Sequence, residues 1–460
     1  MEFALNYKLF GNESNLNIEG EAKAALDEKY LTLTVLFGEP MLFLYTDIVR
    51  IVDYDYKIDL FLTSNEKLNL WGLGYQYEDF LFQLRKLRNE LMLKYMLMEE
   101  TLIQAGFQGQ YSLFDANNQL SQNGSCEIRF YSSAILILPQ KNEPIRIPYC
   151  YTSNINKQDY TLTITDEFQG KLTLTQMGQY FDSVGKALSD SLNKMNLRTQ
   201  QTIKELIPEA TPITISKIAS LMKDGRTTTR KEIEQLSANF WGRLTKKIEE
   251  SGLIAEYDFL NSLSVKDEVC VGIKRGLMGD LTGTYTWLLF PLLDPATGKF
   301  GNTVALEAFN SQENKEQQTQ IHDSETEDGL NQKTQEDQKN ATTGATYFFR
   351  TKKREMYTQM EDEDPLKELV TFLKTINRSM IEINFRREPI YLTENQLEST
   401  EYTQYRFAIA KIPSLKILRD LFIGRVIHAS KDQWKAEITS LLAFNTQYKD
   451  DNPKGIKGDQ

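Results

Sequence analysis

The sequence predicts an α+β protein of several domains, in which small antiparallel sheets are each closed by a C-terminal helix. Three observations lead to this fold class. Short runs of alternating apolar residues indicate strands with one buried face, as in "KYLTLTVLF" at 29–37. The apolar spacing then changes to three or four residues in "FLFQLRKLRNELMLKY" at 80–95, which indicates one face of a helix. The same order of strands, turn and helix returns roughly one hundred residues later.

Length and composition agree with a folded, soluble protein. At 460 residues the chain is long enough for about three domains, and 40% hydrophobic with 25% charged residues is typical of globular proteins. No apolar run approaches the ~18 residues of a membrane helix, so we expect no integral membrane segment. The start of the chain lacks the basic-then-apolar order of a signal peptide, and Cys126, Cys150 and Cys270 form no C-x-x-C motif. These features predict a cytoplasmic protein.

The first two modules are predicted at 1–104 and 105–200. In the first, alternating runs at 29–37, 40–52 and 56–64 precede the strand and turn "KLNLWGLG" and the helix. Adding 104 to each residue number aligns the second half of this module with the second module without a gap. The matched pairs include Tyr45 with Tyr149, Lys67 with Lys171, Leu70 with Leu174, Gly74 with Gly178 and Leu84 with Leu188. The pattern favours an internal duplication over two unrelated small β domains.

The stretch "DIVRIVDYDYKIDLFLTSNEKLNLWGLGYQYEDFLFQLRKLRNE" resembles the pleckstrin-homology-like (PH-like) modules of poorly characterised bacterial and archaeal proteins. It is also similar to the tandem PH-like region in the small subunit of the FACT histone chaperone. The resemblance covers residues 25–100 and, more weakly, 125–197. It implies a seven-stranded, bent sheet capped by one helix, and it implies little about activity, because PH-like folds host lipid, peptide and protein binding alike.

A helical hairpin is predicted at 201–263. One helix, "ITISKIASLMKDG", ends at Asp224-Gly225, and a second runs from a capping box at Thr229 and Glu232 to Gly252. Two helices joined by a Gly turn also suggest a DNA-reading helix-turn-helix. The second helix is long for a recognition helix and its cations are balanced by acids, so we interpret the pair as structural.

A third β/α module is predicted at 264–396, with a PH-like fold as one interpretation. A C-terminal α/β segment is predicted at 397–446, followed by a flexible tail at 447–460. Between 311 and 345 the chain has eight acidic residues against three lysines and no aromatic residue. Such a segment buries too little apolar surface to offset its ordering entropy, which predicts a disordered acidic insertion at 312–344. The "DPATGK" sequence at 294–299 predicts a hairpin connection.

Catalytic and metal-binding patterns are scarce. The chain has two histidines, His322 inside the predicted insertion and His428, whereas His is the usual general base and the commonest zinc ligand. A Cys150–His428 dyad stays open as an alternative. The glycines of "GLMGDLTGTYT" and "ATGKF" match no dinucleotide or phosphate-binding motif. We therefore predict no enzyme activity, no cofactor and no metal.

The remaining function class is binding. The loops between the first two strands of each module are neutral or acidic, which argues against phosphoinositide binding there. We predict a non-catalytic protein-interaction scaffold whose partner is another protein. The alternative is a protein associated with nucleic acid or a membrane surface, which would bind an anionic ligand through a basic face of the third module. The third alternative is an enzyme whose site is built from carboxylates. The candidate binding residues of that face are Lys274, Arg275, Arg350, Lys352, Arg354, Arg386 and Arg387.

Overall fold

The computed structural model describes residues 2–11, 17–95, 97, 100–277, 280–293, 300–310, 344–350, 365–428 and 430–447. The chain divides into two compact units, Met1–Ser189 and Asp190–Gln460. Both units combine antiparallel sheets with helices, which confirms the predicted α+β class. The predicted acidic insertion and the predicted tail lie outside the described residues, except for their end residues 344 and 447.

The first module of the first unit contains a seven-stranded antiparallel sheet and one helix. Its strands are β1 (Glu2–Phe10), β2 (Asn17–Leu26), β3 (Tyr30–Val35), β4 (Met41–Leu44), β5 (Ile48–Tyr54), β6 (Lys57–Leu62) and β7 (Lys67–Trp71). They lie in the order β4-β3-β2-β1-β7-β6-β5, so the first strand pairs with the last. Helix α1 (Tyr77–Tyr95) follows and buries Phe80 and Leu84 against the inward-facing residues of the strands. The inward faces alternate because successive strand residues point to opposite sides.

The second module repeats this arrangement. Its strands are β8 (Leu102–Phe114), β9 (Leu120–Tyr131), β10 (Ala134–Pro139), β11 (Ile145–Pro148), β12 (Thr152–Gln158), β13 (Thr161–Asp166) and β14 (Lys171–Thr175). Their order, β11-β10-β9-β8-β14-β13-β12, is that of the first sheet. Helix α2 (Phe181–Leu206) follows, and its Leu188 is buried like Leu84 of α1.

The predicted offset of 104 residues holds from β3 to the start of the helix. Strands β3–β7 begin at residues 30, 41, 48, 57 and 67, and β10–β14 begin at 134, 145, 152, 161 and 171. The tight turn at Asp55-Tyr56 has φ of 45° and 58°, and its equivalent at Asp159-Tyr160 has 49° and 57°. Gly74 and its equivalent Gly178 also have positive φ, at 55° and 52°, where glycine carries no Cβ penalty. Equal turns keep equal strand registers, so both modules close in the same way.

The second unit has a third sheet with helices on both sides. Its strands are β15 (Thr228–Thr229), β16 (Cys270–Leu277), β17 (Asp280–Leu293), β18 (Phe300–Asn310), β19 (Ala345–Arg350) and β20 (Phe422–Ile427). Its helices are α3 (Pro212–Leu221), α4 (Arg230–Glu234), α5 (Phe240–Glu250), α6 (Ile254–Ser262), α7 (Pro365–Glu382), α8 (Glu388–Tyr391), α9 (Glu394–Leu397), α10 (Thr403–Lys411), α11 (Pro413–Leu421) and α12 (Lys431–Gln447). β17 and β18 pair antiparallel across 294–299, as the predicted hairpin requires, although that connection lies outside the described residues.

The two faces of the third sheet pack against different helices. Val271, Phe290 and Phe348 belong to a core cluster shared with α3, α5, α6 and α12. Alternate residues such as Trp287 and Tyr347 are also buried, on the side where α7 and α11 contact β18 and β19. Because both faces are covered, the strands have near-continuous apolar runs.

The third sheet differs from the predicted third module. Its six strands follow one another in chain order, β15-β16-β17-β18-β19-β20, and do not repeat the order of the first two sheets. Strand β20 lies in the segment predicted to be separate at 397–446, yet it pairs with β19 after the five described α-helices between Pro365 and Leu421. Strand β15 likewise comes from the predicted helical hairpin. Long-range pairings of this kind leave no local period in the sequence.

One boundary of the predicted helical hairpin and the continuity of its second helix also differ. The boundary at 200/201 falls inside α2, which continues to Leu206. The predicted continuous helix from Thr229 to Gly252 is two helices, α4 and α5, separated between Glu234 and Phe240. The capping box of Thr229 and Glu232 is confirmed. The interruption coincides with "SAN" at 237–239, where Ser and Asn side chains compete with helical backbone hydrogen bonds.

Candidate interaction surfaces

Helix α1 contacts two sheets of the first unit. Its Phe80 and Leu84 lie in the core of its own module. Near its C-terminus, Leu93 packs against Leu136 and Leu138, which project from the face of the second sheet that lies opposite that module's own core. As a result all six residues of β10 are buried, although the strand lies next to the edge of its sheet. The run "AILILP" in the sequence is the signal for this two-sided burial.

Polar contacts surround this apolar contact. Asn89 donates from Nδ2 to the carbonyl oxygens of Pro139 and Asn142, at 3.3 and 3.0 Å. Arg88, which is buried, donates to the carbonyl of Ile48 at 2.9 Å and to the Glu143 carboxylate at 3.0 Å. The amide and the guanidinium therefore position the helix on the turn between β10 and β11, since buried donors need partners.

An ion-pair network lies on the same face of the second sheet. The Arg129 guanidinium contacts the Glu90 carboxylate of α1 at 2.5 Å and the Glu127 carboxylate of its own strand at 2.8 Å. Burial by itself raises the pKa of the Glu127 carboxyl, but the hydrogen bond and charge of Arg129 outweigh burial and lower that pKa below its usual value. Glu127 is therefore ionised at neutral pH.

The equivalent face of the first module is open to solvent. We define the open face as the outer side of β3 and β4, with Thr32, Thr34, Leu42 and Leu44, together with Leu36 and Phe37 of the turn between these strands. The exposed fractions are 97% for Phe37, 80% for Leu36, 63% for Leu42 and 41% for Leu44. Exposed apolar side chains grouped on one strand edge and its turn are typical of an interaction surface. These residues are not among those predicted from the sequence, because periodicity alone does not show which sheet face is covered.

The described members of the predicted basic set, Lys274, Arg275, Arg350, Arg386 and Arg387, do not form one surface. Lys274 is buried, and its Nζ contacts the Asp224 carboxylate at 2.6 Å. Arg275 lines a small pocket together with Arg198 and Asp224. Lys352 and Arg354 lie outside the described residues. Lys274 thus holds a loop to β16 and presents no charge to a ligand.

The remaining predicted arginines lie on two sides of the third sheet. Arg350 lies on the same side of β19 as Phe348, and Phe348 is fully buried in the core cluster. Arg387 instead lies over the ring of Tyr347, at 5.2 Å, on the opposite face, and Arg386 precedes it in the chain. The predicted single face of Phe348, Arg350, Lys352 and Arg354 is therefore not a solvent-exposed basic face at its described positions.

Arg425 is a further cation on the Arg387 side, and it is not among the residues predicted from the sequence. Its guanidinium stacks over the Tyr391 ring at 3.8 Å. Burial raises the pKa of Tyr391 to about 12, although the positive charge of Arg425 acts in the opposite direction. Arg425 lies on β20 opposite Tyr347, a pairing that no local motif reveals.

His428 belongs to a buried polar cluster in the second unit. Its Nε2 lies 3.0 Å from the Glu307 carboxylate and 3.1 Å from the Thr346 hydroxyl, which also donates to Glu307 at 2.6 Å. The Trp434 indole N–H donates to that hydroxyl at 3.1 Å. Burial alone lowers the pKa of His428, but the hydrogen bond and charge of Glu307 outweigh it and raise the pKa. The cluster connects β18, β19 and α12 through mutually satisfied groups.

The three cysteines are buried free thiols. Burial raises the pKa of Cys126 to about 12 and also raises that of Cys270. A reactive cysteine needs a lowered pKa and access to solvent, so these two thiols lack the properties of a nucleophile.

The described part of the chain has no group of three or more His, Cys, Asp or Glu residues that could hold a metal ion. Among the described helices, none is both long and apolar enough to cross a membrane.

Comparisons with known proteins give little further information. No protein-family model matches the chain, and no curated protein matches it. Among solved structures, the chain has a likeness to the "Structure of the Spt16D Pob3N heterodimer", with 12% identity and a TM-score of 0.15. The likeness covers 36% of this chain and 83% of that chain. A TM-score of this size assigns neither a fold nor a function.

Proposed function

We propose that the chain is a non-catalytic protein-interaction scaffold whose first two modules have the PH-like fold. Seven antiparallel strands closed by one C-terminal helix, present twice with one strand order, support the fold assignment. This is the arrangement that the sequence resemblance implies. Buried free thiols are compatible with a reducing compartment, and we place the scaffold in the cytoplasm.

The open face is the observation that carries the protein-binding part of the proposal. Its apolar residues are exposed, whereas the equivalent face of the second module is covered by a helix. Removing apolar surface from water contributes about 25 cal/mol per Å² in favour of an association, against which the entropy lost on binding is set. A protein partner can supply that cover for the first module, as α1 supplies it for the second.

The alternative function, binding of an anionic ligand through the third module, has less support. Lys274 is neutralised by Asp224, and Arg350 and Arg387 lie on opposite sides of the sheet. A divided set of cations gives no continuous positive surface for phosphate groups. We therefore retain the protein scaffold as the proposed function.

The proposal is tested by purifying the full chain from its native cells and quantifying the proteins that accompany it. We expect at least one near-stoichiometric protein with the unaltered chain. The double variant Phe37→Ser/Leu42→Ser should lose that protein, and Tyr75→Ser should keep it, because Tyr75 is as exposed as Phe37 but lies outside the open face. If no protein accompanies the unaltered chain in stoichiometric amounts, the scaffold function is wrong.

A further inference from the structure

We propose that the open face binds an amphipathic helix of a partner protein, in the way that α1 binds the second module. The inference rests on the proposed scaffold function and names the partner's chemistry. The docking helix carries an Arg and an Asn in succession, followed four residues after the Asn by a Leu. These are the positions of Arg88, Asn89 and Leu93 in α1, which hold that helix on the second sheet.

The first module retains an acceptor for the asparagine. Asn89 donates to the carbonyl of Pro139, which lies opposite Cys126 in the second sheet. The residue 104 positions earlier is Val35, which lies opposite Ala22 in the first sheet, in the same register. The turn that follows Val35 differs from the one that follows Pro139. Gly38, with φ of 153°, stands at the position of Asn142. The Val35 carbonyl is accordingly the acceptor that we assign to the partner's asparagine.

The first module also retains the carboxylate that binds the arginine. Glu143 contacts Arg88 at 3.0 Å, and its equivalent in the first module is Glu39. Glu39 is exposed and forms no ion pair with another residue of the described part of the chain. A guanidinium matches a carboxylate by charge and by geometry, so the partner's arginine is assigned to Glu39.

The apolar contact lies closer to the sheet edge in the first module. Leu136 and Leu138 of the second sheet are replaced by Thr32 and Thr34, whereas Leu42 stands where the second sheet has Arg146. The apolar residues thus lie on β10 in the second sheet, which is equivalent to β3, but on the edge strand β4 in the first sheet. The difference is one strand spacing, about 4.8 Å. The partner's leucine would contact Leu42, and Phe37 would lie at the end of the partner's helix.

A second copy of this chain is a poorer occupant than a separate partner. The element equivalent to α1 is α2, and its residues Asn193 and Leu197 correspond to Asn89 and Leu93 and are exposed. At the position of Arg88, however, α2 has Leu192. Helix α2 of another copy would leave the Glu39 carboxylate without its cation. The charge of the open face therefore favours a helix with arginine at this position.

The test measures binding of a stapled helical peptide to the full chain by fluorescence anisotropy. The peptide has the sequence of residues 77–97, with Gln in place of three of the residues that face the first module's own core, namely Phe80, Leu84 and Leu91. Stapling is needed because an isolated helix of this length is marginally stable in water. We expect saturable binding that Glu39→Arg weakens about three- to tenfold.

Charge reversal identifies the contact. A peptide with Arg88→Glu should bind the unaltered chain weakly and the Glu39→Arg chain more tightly, which restores the pair with its signs exchanged. Phe37→Ser/Leu42→Ser should weaken both peptides, and Tyr75→Ser should weaken neither. A peptide with Asn89→Ala should bind less tightly than its parent.

Three results would overturn the inference. The first is that the peptide shows no saturable binding. The second is that the peptide binds but Glu39→Arg leaves its affinity unchanged. That second result is expected if the occupant is an extended segment that pairs with the backbone of β4. The third is concentration-dependent self-association of the free chain that Glu39→Arg abolishes, which makes a second copy the occupant. If the peptide fails while the native partner is still lost from Phe37→Ser/Leu42→Ser, the scaffold function stands and only the helical partner is wrong.

Discussion

The two modules of the first unit have one strand order and one offset, but they differ in what covers the outer side of the sheet. In the second module every residue of β10 is buried, because α1 lies on the outer face. In the first module, β3 alternates between buried Leu31 and Leu33 and the less buried Thr32 and Thr34. The inward positions of a repeated module are thus constrained by one core. The outward positions depend on neighbours, and therefore indicate where a module makes contacts.

The largest effect that we expect concerns the shared core. Leu84→Ala and Leu188→Ala remove equivalent buried side chains, so each should lower the free energy of unfolding by about 2–5 kcal/mol. Urea denaturation followed by circular dichroism measures both losses. Phe82→Ala, on the exposed side of α1, is the control and should change little. A loss below about 1 kcal/mol at only one of the two leucines would show that the helices do not pack equivalently.

The outer faces should respond oppositely to exchanged residues. Leu138→Thr loses apolar contact with Leu93 and buries a hydroxyl, so we expect a loss of about 1–3 kcal/mol in the free energy of unfolding. The reverse exchange, Thr34→Leu, adds an exposed side chain on the open face and should stay within about 0.5 kcal/mol. Thermal and urea denaturation of both variants measure the asymmetry. Equal effects would show that the two faces are covered to the same extent.

The ion-pair network of the second module predicts a pH dependence that is carried by Glu127. Arg129 lowers the pKa of Glu127 below its ordinary value of 4.5 in the folded chain. The resulting stability is present above the unfolded pKa and is lost as the pH falls through the folded pKa. Glu127→Gln should flatten this acid limb of the urea midpoint against pH. Lys23, which occupies the equivalent position of the first sheet, is the control, and Lys23→Gln should leave the acid limb unchanged.

The smallest effect on stability is expected at the open face itself. Phe37→Ser/Leu42→Ser alters exposed side chains, so the free energy of unfolding should change by no more than about 0.5 kcal/mol. Differential scanning calorimetry of the free chain measures this change. A loss above about 2 kcal/mol would mean that these residues are packed within the chain and do not form a docking surface.

Local sequence patterns were sufficient for the elements and for the repeat. Alternation at Leu31 and Leu33 and helical spacing at Phe80 and Leu84 depend on residues close in the chain, and both agree with the structure. The 104-residue offset holds because the turns that set strand register are themselves local, as at Gly74 and Gly178. The run "AILILP" even contains the evidence for a strand buried on both faces, which its apolar composition indicates.

Tertiary structure decided which faces are covered and which charges are exposed. Lys274 lies in a basic sequence, yet its ion pair with Asp224, 50 residues away, makes it a buried structural residue. Strand β20 pairs with β19 from more than 70 residues away in the chain, and His428 meets Glu307 from 121 residues away. The open face exists because α1 covers the second module, while no described helix of the first unit takes that position on the first module. Each of these results depends on contacts between residues distant in the chain, whose energies leave no periodic signal in the sequence.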